Sequence, residues 1–239
     1  MTALLYNCEA FGPYVPKGLE ELYIRMLRAA LGVRHNCPKL TVLIESGFLP
    51  LKCLILSRQL KFFRRFKDSL CKNSVRAKIF DYLLKNTSKF LDHYVDLDRR
   101  YSDHKQLIRE SVDDLKDSIR KLGANKGRHY KFWVYLQMNP ELTASPYLPR
   151  IDVVGKSMIK FRLGSHRLKI ETGRWSNIPR DERLCTSCNI LEDEHHVIYD
   201  CCKIDRADLV DIPQPLSSLW SYSKVNTLFK RIRDAEYVT

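Results

Sequence analysis

The chain has 239 residues, 44% of them hydrophobic and 29% charged, with a formal net charge of +13 and eight cysteines. So much apolar material supports one large or two modest cores and excludes a disordered chain, and no apolar window approaches the length of a membrane span. The first residues lack the basic and apolar regions of a signal peptide, so the expected setting is soluble and intracellular, nuclear or cytoplasmic, with no membrane partner.

Helical spacing dominates along the chain. Leu19, Leu22, Tyr23, Met26, Leu27, Ala30 and Leu31 predict an amphipathic helix over 17–31, closed by Gly32. Pro38 opens a short helix that Gly47 ends. Pro50 opens a longer one, with Leu51, Ile55, Phe62 and Phe66 on an apolar face and Arg58, Lys61, Arg64, Arg65 and Lys67 on the remainder. Val75, Ile79, Leu83 and Leu84 continue as a helix over 74–85. The acid-rich run from Asp92 to Asp103 reads as a turn-rich loop. Ile108, Val112, Leu115, Ile119 and Leu122, ahead of Gly123, mark the cleanest helix of the chain.

Small and polar residues over 125–127 suggest a hinge. Trp133 and Val134 lie on a further helix ending near Pro140, and Pro146 and Pro149 punctuate a loop. No period-two alternation is sustained, so the fold expected is mainly α: a helical bundle, then a small zinc-knuckle lobe and a C-terminal helix. Four segments are expected, at 1–45, 46–125, 126–184 and 185–239.

The excess charge is segregated. Residues 46–85 carry ten Lys or Arg against two acids, and residues 126–184 carry twelve against five. Residues 86–125 are balanced, and residues 185–239 are net acidic. A charge run is often only a solvated face, but two basic blocks also suit a polyanion-binding surface, with nucleic-acid phosphate as the partner. In the second block Lys156, Lys160, Arg162, His166, Arg167, Lys169, Arg174, Arg180 and Arg183 interleave with apolar residues. Trp175 among them is either packed or a stacking face for an unpaired base.

Four of the cysteines cluster near the end. Cys185 and Cys188, then His196, then Cys201 read C-x2-C-x7-H-x4-C, three thiolates and an imidazole at spacings that close a tetrahedral zinc site. Cysteine is often simply buried and a CxxC pair arises by chance; the added His and Cys distinguish this run. His195 and Cys202 adjoin two of the ligands and could take their places. Four protein ligands leave no position for water, so the Zn2+ expected here is structural. A metal site with scattered remaining cysteines suits a reducing compartment better than a disulfide framework.

The string from Arg162 through Gly164, Ser165, His166, Arg167 and Thr172 to Gly173, Arg174 and Trp175 runs on to Ile178, Pro179, Arg180 and Cys185. It resembles the C-terminal region of LINE-type (non-LTR) retrotransposon polyproteins. The string Leu4 to Gly12 resembles the thumb boundary of their reverse transcriptase, and Leu31–Val33 and Glu45–Pro50 resemble the helices that follow. The resemblance implies a thumb and linker leading to a zinc knuckle, the part of such polymerases that holds RNA or DNA. It also implies the missing polymerase domains, or another protein, as further partners.

Polymerisation needs paired aspartates holding two metal ions about 3.5–4 Å apart. Tyr94-Val95-Asp96-Leu97-Asp98 comes nearest, with Leu97 where the second Asp must stand. The expectation is a non-catalytic nucleic-acid-binding module. A helical protein-interaction module is the rival, and a nuclease using Asp92, Asp96, Asp98 and Asp103 is a weaker one.

Overall fold

The computed structural model describes residues 5–6, 8, 13, 15, 18–70, 74–85, 89–127, 129–148 and 152–238. Among them the helical spacings are realised as α1 (Leu19–Leu31), α2 (Lys39–Ser46), α3 (Leu51–Asp68), α4 (Val75–Lys85), α5 (Lys89–Arg100), α6 (His104–Gly123), α7 (Tyr130–Met138), α8 (Val153–Arg162), α9 (Lys169–Trp175) and α10 (Val225–Asp234). The described residues form no strand beyond an isolated antiparallel bridge between Leu184 and Leu191. The fold is mainly α. Most of the Leu4–Gly12 string lies outside the described residues.

Two compact units form, one from residues 1–25 and 49–117, the other from residues 26–48 and 118–239. The segments 1–45 and 46–125 therefore do not separate as expected: each contributes to both units.

In the first unit α3 packs on α5. Cys53 and Leu60 of α3 meet Leu97 of α5 and Leu107 of α6, and the Phe63 and Tyr94 rings stack with centroids 5.6 Å apart. Phe62 and Phe66, expected on the buried face, are exposed. Leu51, Cys53, Ile55 and Leu60 bury several sides of the first half of α3, whereas near its end Phe63 is the ring that meets α5. Val75 and Ile79 of α4 are exposed as well, and the side chains of Leu83 and Leu84 lie outside the described set.

The acidic run expected as a loop is the helix α5. Tyr94 and Leu97 are buried while Asp92 and Asp96 face water, a helical division that the acid-rich composition masked. Asp98 accepts from Arg64 Nε at 2.7 Å and from Lys67 Nζ at 2.9 Å, and Asp96 pairs with Arg100.

In the second unit α2 is bounded as its sequence suggests. Pro38 precedes its first turn, and Gly47, at φ 67°, ends it in the left-handed region that glycine adopts without strain. α8 starts at Asp152, whose carboxylate accepts from the Gly155 N–H at 2.6 Å and so satisfies one of the free donors of its first turn. The amphipathic α10 buries Val225, Leu228, Phe229 and Ile232. Phe229 meets Phe161 of α8 edge-on, with centroids 5.3 Å apart.

That same core includes Leu168, Ile170, Cys185, Val197, Ile198, Cys201, Ile204, Leu209 and Tyr237. The cysteine-bearing segment is thus built into this core and brings apolar residues of its own. Among the described residues no single helix is long and apolar enough to cross a membrane.

Candidate metal centre and nucleic-acid interface

The metal-ligand geometry grows from two tight turns. Cys185 and Cys188 sit on a hairpin in which the Cys185 N–H donates to Ile190 O at 2.7 Å and the Asn189 N–H returns to Cys185 O at 2.9 Å. Asn189 takes φ 54° at the corner, a conformation Asn tolerates better than most residues. His196 and Cys201 bracket a single π-helical turn, His196–Asp200, closed by the Cys201 N–H donating to His196 O at 2.8 Å. The four-residue spacing between them is the reach of that turn.

One ligand atom from each of Cys185, Cys188, His196 and Cys201 lies within 4.8 Å of all the others. The sulfurs of Cys185 and Cys201 are 4.0 Å apart; a tetrahedral zinc with Zn–S bonds of about 2.3 Å holds its sulfurs about 3.8 Å apart. The group can hold a metal ion. Neither ring nitrogen of the buried His196 has a hydrogen-bond partner, although the ring is near enough to the Cys185 thiol to help lower its pKa. A buried imidazole that faces only a thiol is poorly satisfied, and a metal supplies a full partner.

Charge tells the same story. Burial works to raise the Cys185 pKa, but the Ser187 and Cys188 N–H groups, His196 and Tyr237 outweigh it and bring the thiol down to about 6. Burial and the neighbouring Cys185 push Cys201 up, and Cys188 is raised too, despite the Cys202 N–H. Three thiolates this close repel one another, and a cation among them removes that repulsion.

The two alternative ligands stand outside the group. His195 is exposed, its Nδ1 3.5 Å from Asp200 and its ring against Tyr199. The exposed Cys202 touches Cys188, its backbone N–H and its sulfur each 3.3 Å from the Cys188 sulfur, and its sulfur is not one of the four mutually close ligand atoms.

Residues that the sequence did not single out brace the centre. Arg206 donates to the carbonyls of Val197, Ile198, Cys201 and Ile204, pinning the π turn. The Tyr237 hydroxyl lies 3.3 Å from the Cys201 sulfur and 3.8 Å from that of Cys185. Arg206 follows Cys201 by five residues but belongs to no ligand spacing, and Tyr237 reaches the site from the far end of the chain.

The basic string before the cysteines proves to be largely internal wiring. Arg162 and His166, expected at phosphate, are buried: Arg162 Nε lies 2.8 Å from Glu45, and His166 Nε2 lies 3.0 Å from Glu194. Arg183 donates to the carbonyls of Ile170 and Ile178, threading past Gly173 so closely that a Cβ there would come within 2.8 Å of it. Lys169 Nζ donates to Leu184 O. In the first unit Arg58 donates to Leu5 O, and Arg64 is committed to Asp98, Tyr101 and Ser102. Reaching a phosphate would cost these five cationic side chains and the His166 ring the contacts that already hold them.

The wiring also runs from the cysteine segment back to the string. Glu192 accepts from the Lys169 N–H at 2.9 Å through Oε1 and from the Ile170 N–H at 3.0 Å through its carbonyl. Glu194 holds His166 and accepts from the Tyr130 hydroxyl at 3.0 Å. The acidic charge of this segment therefore serves to brace the string.

Other cations face outward. Lys156, Arg167, Arg174, Trp175 and Arg180 are exposed in the second unit, and Lys61 and Arg65 in the first. Lys160 gathers the most informative set: its pKa is lowered by partial burial first, then by Lys156, Arg34 and Arg167. Arg34, which no motif marked, also lies over the half-exposed Trp175 ring at 4.3 Å. Trp175 is thus covered by a cation rather than packed in the core. No family model, curated protein or solved structure matches the chain.

Proposed function

We propose that the chain is a non-catalytic nucleic-acid-binding module that resembles the C-terminal part of a LINE-type reverse transcriptase and is ordered by one structural zinc. The metal would be held by Cys185, Cys188, His196 and Cys201, whose soft donor set of three sulfurs and one nitrogen suits Zn2+. Bound there, it supplies a fixed positive centre that ties the hairpin to the π turn. It offers no open position for chemistry.

One observation carries the binding role: the exposed Lys156 and Arg167 and the half-buried Arg34 gather around Lys160, whose pKa is lowered by partial burial first and then by these three charges. Such a cluster is relieved by an anion, and a row of backbone phosphates supplies several. Affinity for RNA or duplex DNA should fall with salt, with a log–log slope of about −0.9 per phosphate neutralised on duplex DNA. A slope near zero contradicts the reading.

A protein-interaction module is the second reading, favoured by the exposed Phe62, Phe66, Val75, Ile79 and Tyr82 of the first unit. Replacing Lys156, Lys160 and Arg167 with Ala separates the two readings. Nucleic-acid binding falls under the first, and a protein contact survives under the second.

A further inference from the structure

A cavity beside the metal centre carries chemistry that phosphate binding does not use. It encloses about 500 Å3, the size of a small-ligand site, between α7, Arg180, the π turn and the segment 214–216. On it Tyr130 and Trp133 stack with centroids 6.0 Å apart and planes 27° from parallel. A second ring pair, His195 and Tyr199, with centroids 4.6 Å apart, lines the same cavity.

The Tyr130 ring is held in place, because its hydroxyl donates to Glu194, a buried carboxylate that also holds His166. Two cations cover the ring pair. The Arg180 guanidinium lies 4.6 Å from the Tyr130 ring centre and the Lys126 ammonium 4.2 Å from that of Trp133. Both residues are exposed, so their heads can leave the rings without opening the core. The same walls carry Asp193 and Asp200, whose carboxylates repel phosphate and accept from N–H donors.

Aromatic faces, exposed cations and carboxylate acceptors together fit a flat heterocycle with N–H groups on its edge and phosphates at its flanks. Resting on the nucleic-acid reading above, we infer that this cavity takes an unpaired guanine of a bound single strand. The base stacks on Tyr130 and Trp133 while Arg180 and Lys126 turn to the flanking phosphates. Guanine presents a ring N–H beside an amino group, which one carboxylate can accept together. Uracil sets its N–H between two carbonyl oxygens, which the acids repel.

The test titrates the full chain with two single-stranded RNAs of equal length, one holding a single guanosine among uridines and the other an abasic ribose at that position. Both carry the same phosphates, so the basic surface treats them alike. The guanosine strand is expected to bind about tenfold more tightly. Gln137→Trp, at an exposed position of α7 on the cavity wall, should bring the ratio to about one by filling the space. Lys156→Ala should weaken both strands and leave the ratio unchanged. Equal affinity of the wild type for both strands, or a ratio that survives Gln137→Trp, overturns the base site and leaves the phosphate reading standing. Absence of binding to either strand overturns both.

Discussion

Arg162 and Glu45 form an ion pair at 2.8 Å with both side chains enclosed, 3% and 0% exposed. Glu45 also accepts from the Tyr135 hydroxyl at 2.9 Å, and the Arg162 guanidinium lies over the Trp220 ring at 4.8 Å. The pair ties α2 to α8, and Tyr135 ties α2 to α7, so one carboxylate joins three helices of the second unit.

Removing one member of this pair strands the other's charge out of water. Arg162→Ala should destabilise the protein by about 3–5 kcal/mol, while Tyr135→Phe, which leaves the pair intact, should cost about 1–3 kcal/mol. Urea unfolding of the two variants checks the order. Equal, small losses would mean that the pair contributes little.

The phosphate surface answers to different residues. Lys156→Ala and Arg167→Ala lie at exposed positions and should leave stability nearly unchanged. Each should make the salt slope of nucleic-acid binding shallower by about 0.9 for duplex DNA. Filter binding across a salt series reads this directly, and an unaltered slope in the double variant would remove these residues from the interface.

Acid should loosen the first unit through Asp98. Partial burial works to raise its pKa, but hydrogen bonds from Arg64 and Lys67 outweigh that and hold the carboxyl below its usual range. With the folded value below the unfolded one of about 3.9, the stabilisation is present above that value and is lost as pH falls through the folded pKa. Asp98→Asn should therefore be less stable than wild type by about 1 kcal/mol at neutral pH, and the gap should close as pH falls through the lowered folded value. A gap of the same size throughout would show that the Arg64–Asp98 contact does not supply it.

Chelation should act well beyond the four ligands, since Cys185 and Cys201 belong to the core that holds Phe161 and Phe229. Metal removal should lower the thermal midpoint and helicity together, with restoration on adding zinc. His195→Ala and Cys202→Ser should keep the metal, because neither side chain belongs to the group. Loss of metal in either variant would reassign a ligand.

The helices could be read in the sequence because their periodicity and end signals are local. α2 between Pro38 and Gly47 and α6 ahead of residue 124 follow from a handful of neighbours each. Which face a helix buries is not local. Leu22 and Met26 fit the apolar stripe of α1 yet are exposed, whereas Ile24, off that stripe, is buried. α5 was hidden because Asp92, Asp96 and Asp98 alternate with its buried Tyr94 and Leu97, so the run reads as acidic before it reads as helical.

The metal group was legible for the same reason as α2: its four residues lie within seventeen positions and two turns bring them together. The fate of Arg162 and His166 was not. Their partners Glu45 and Glu194 lie far along the chain, and a basic residue bound for a buried carboxylate looks the same in sequence as one bound for phosphate.

Zinc content of the purified protein, measured beside that of Cys185→Ser, tests the metal-ordered binding module most directly. One zinc per chain in the wild type, lost in Cys185→Ser with a fall in stability and retained in Cys202→Ser, is the result predicted. A wild-type protein free of zinc after purification without chelator, or a Cys185→Ser variant that keeps a full equivalent and its stability, would contradict it.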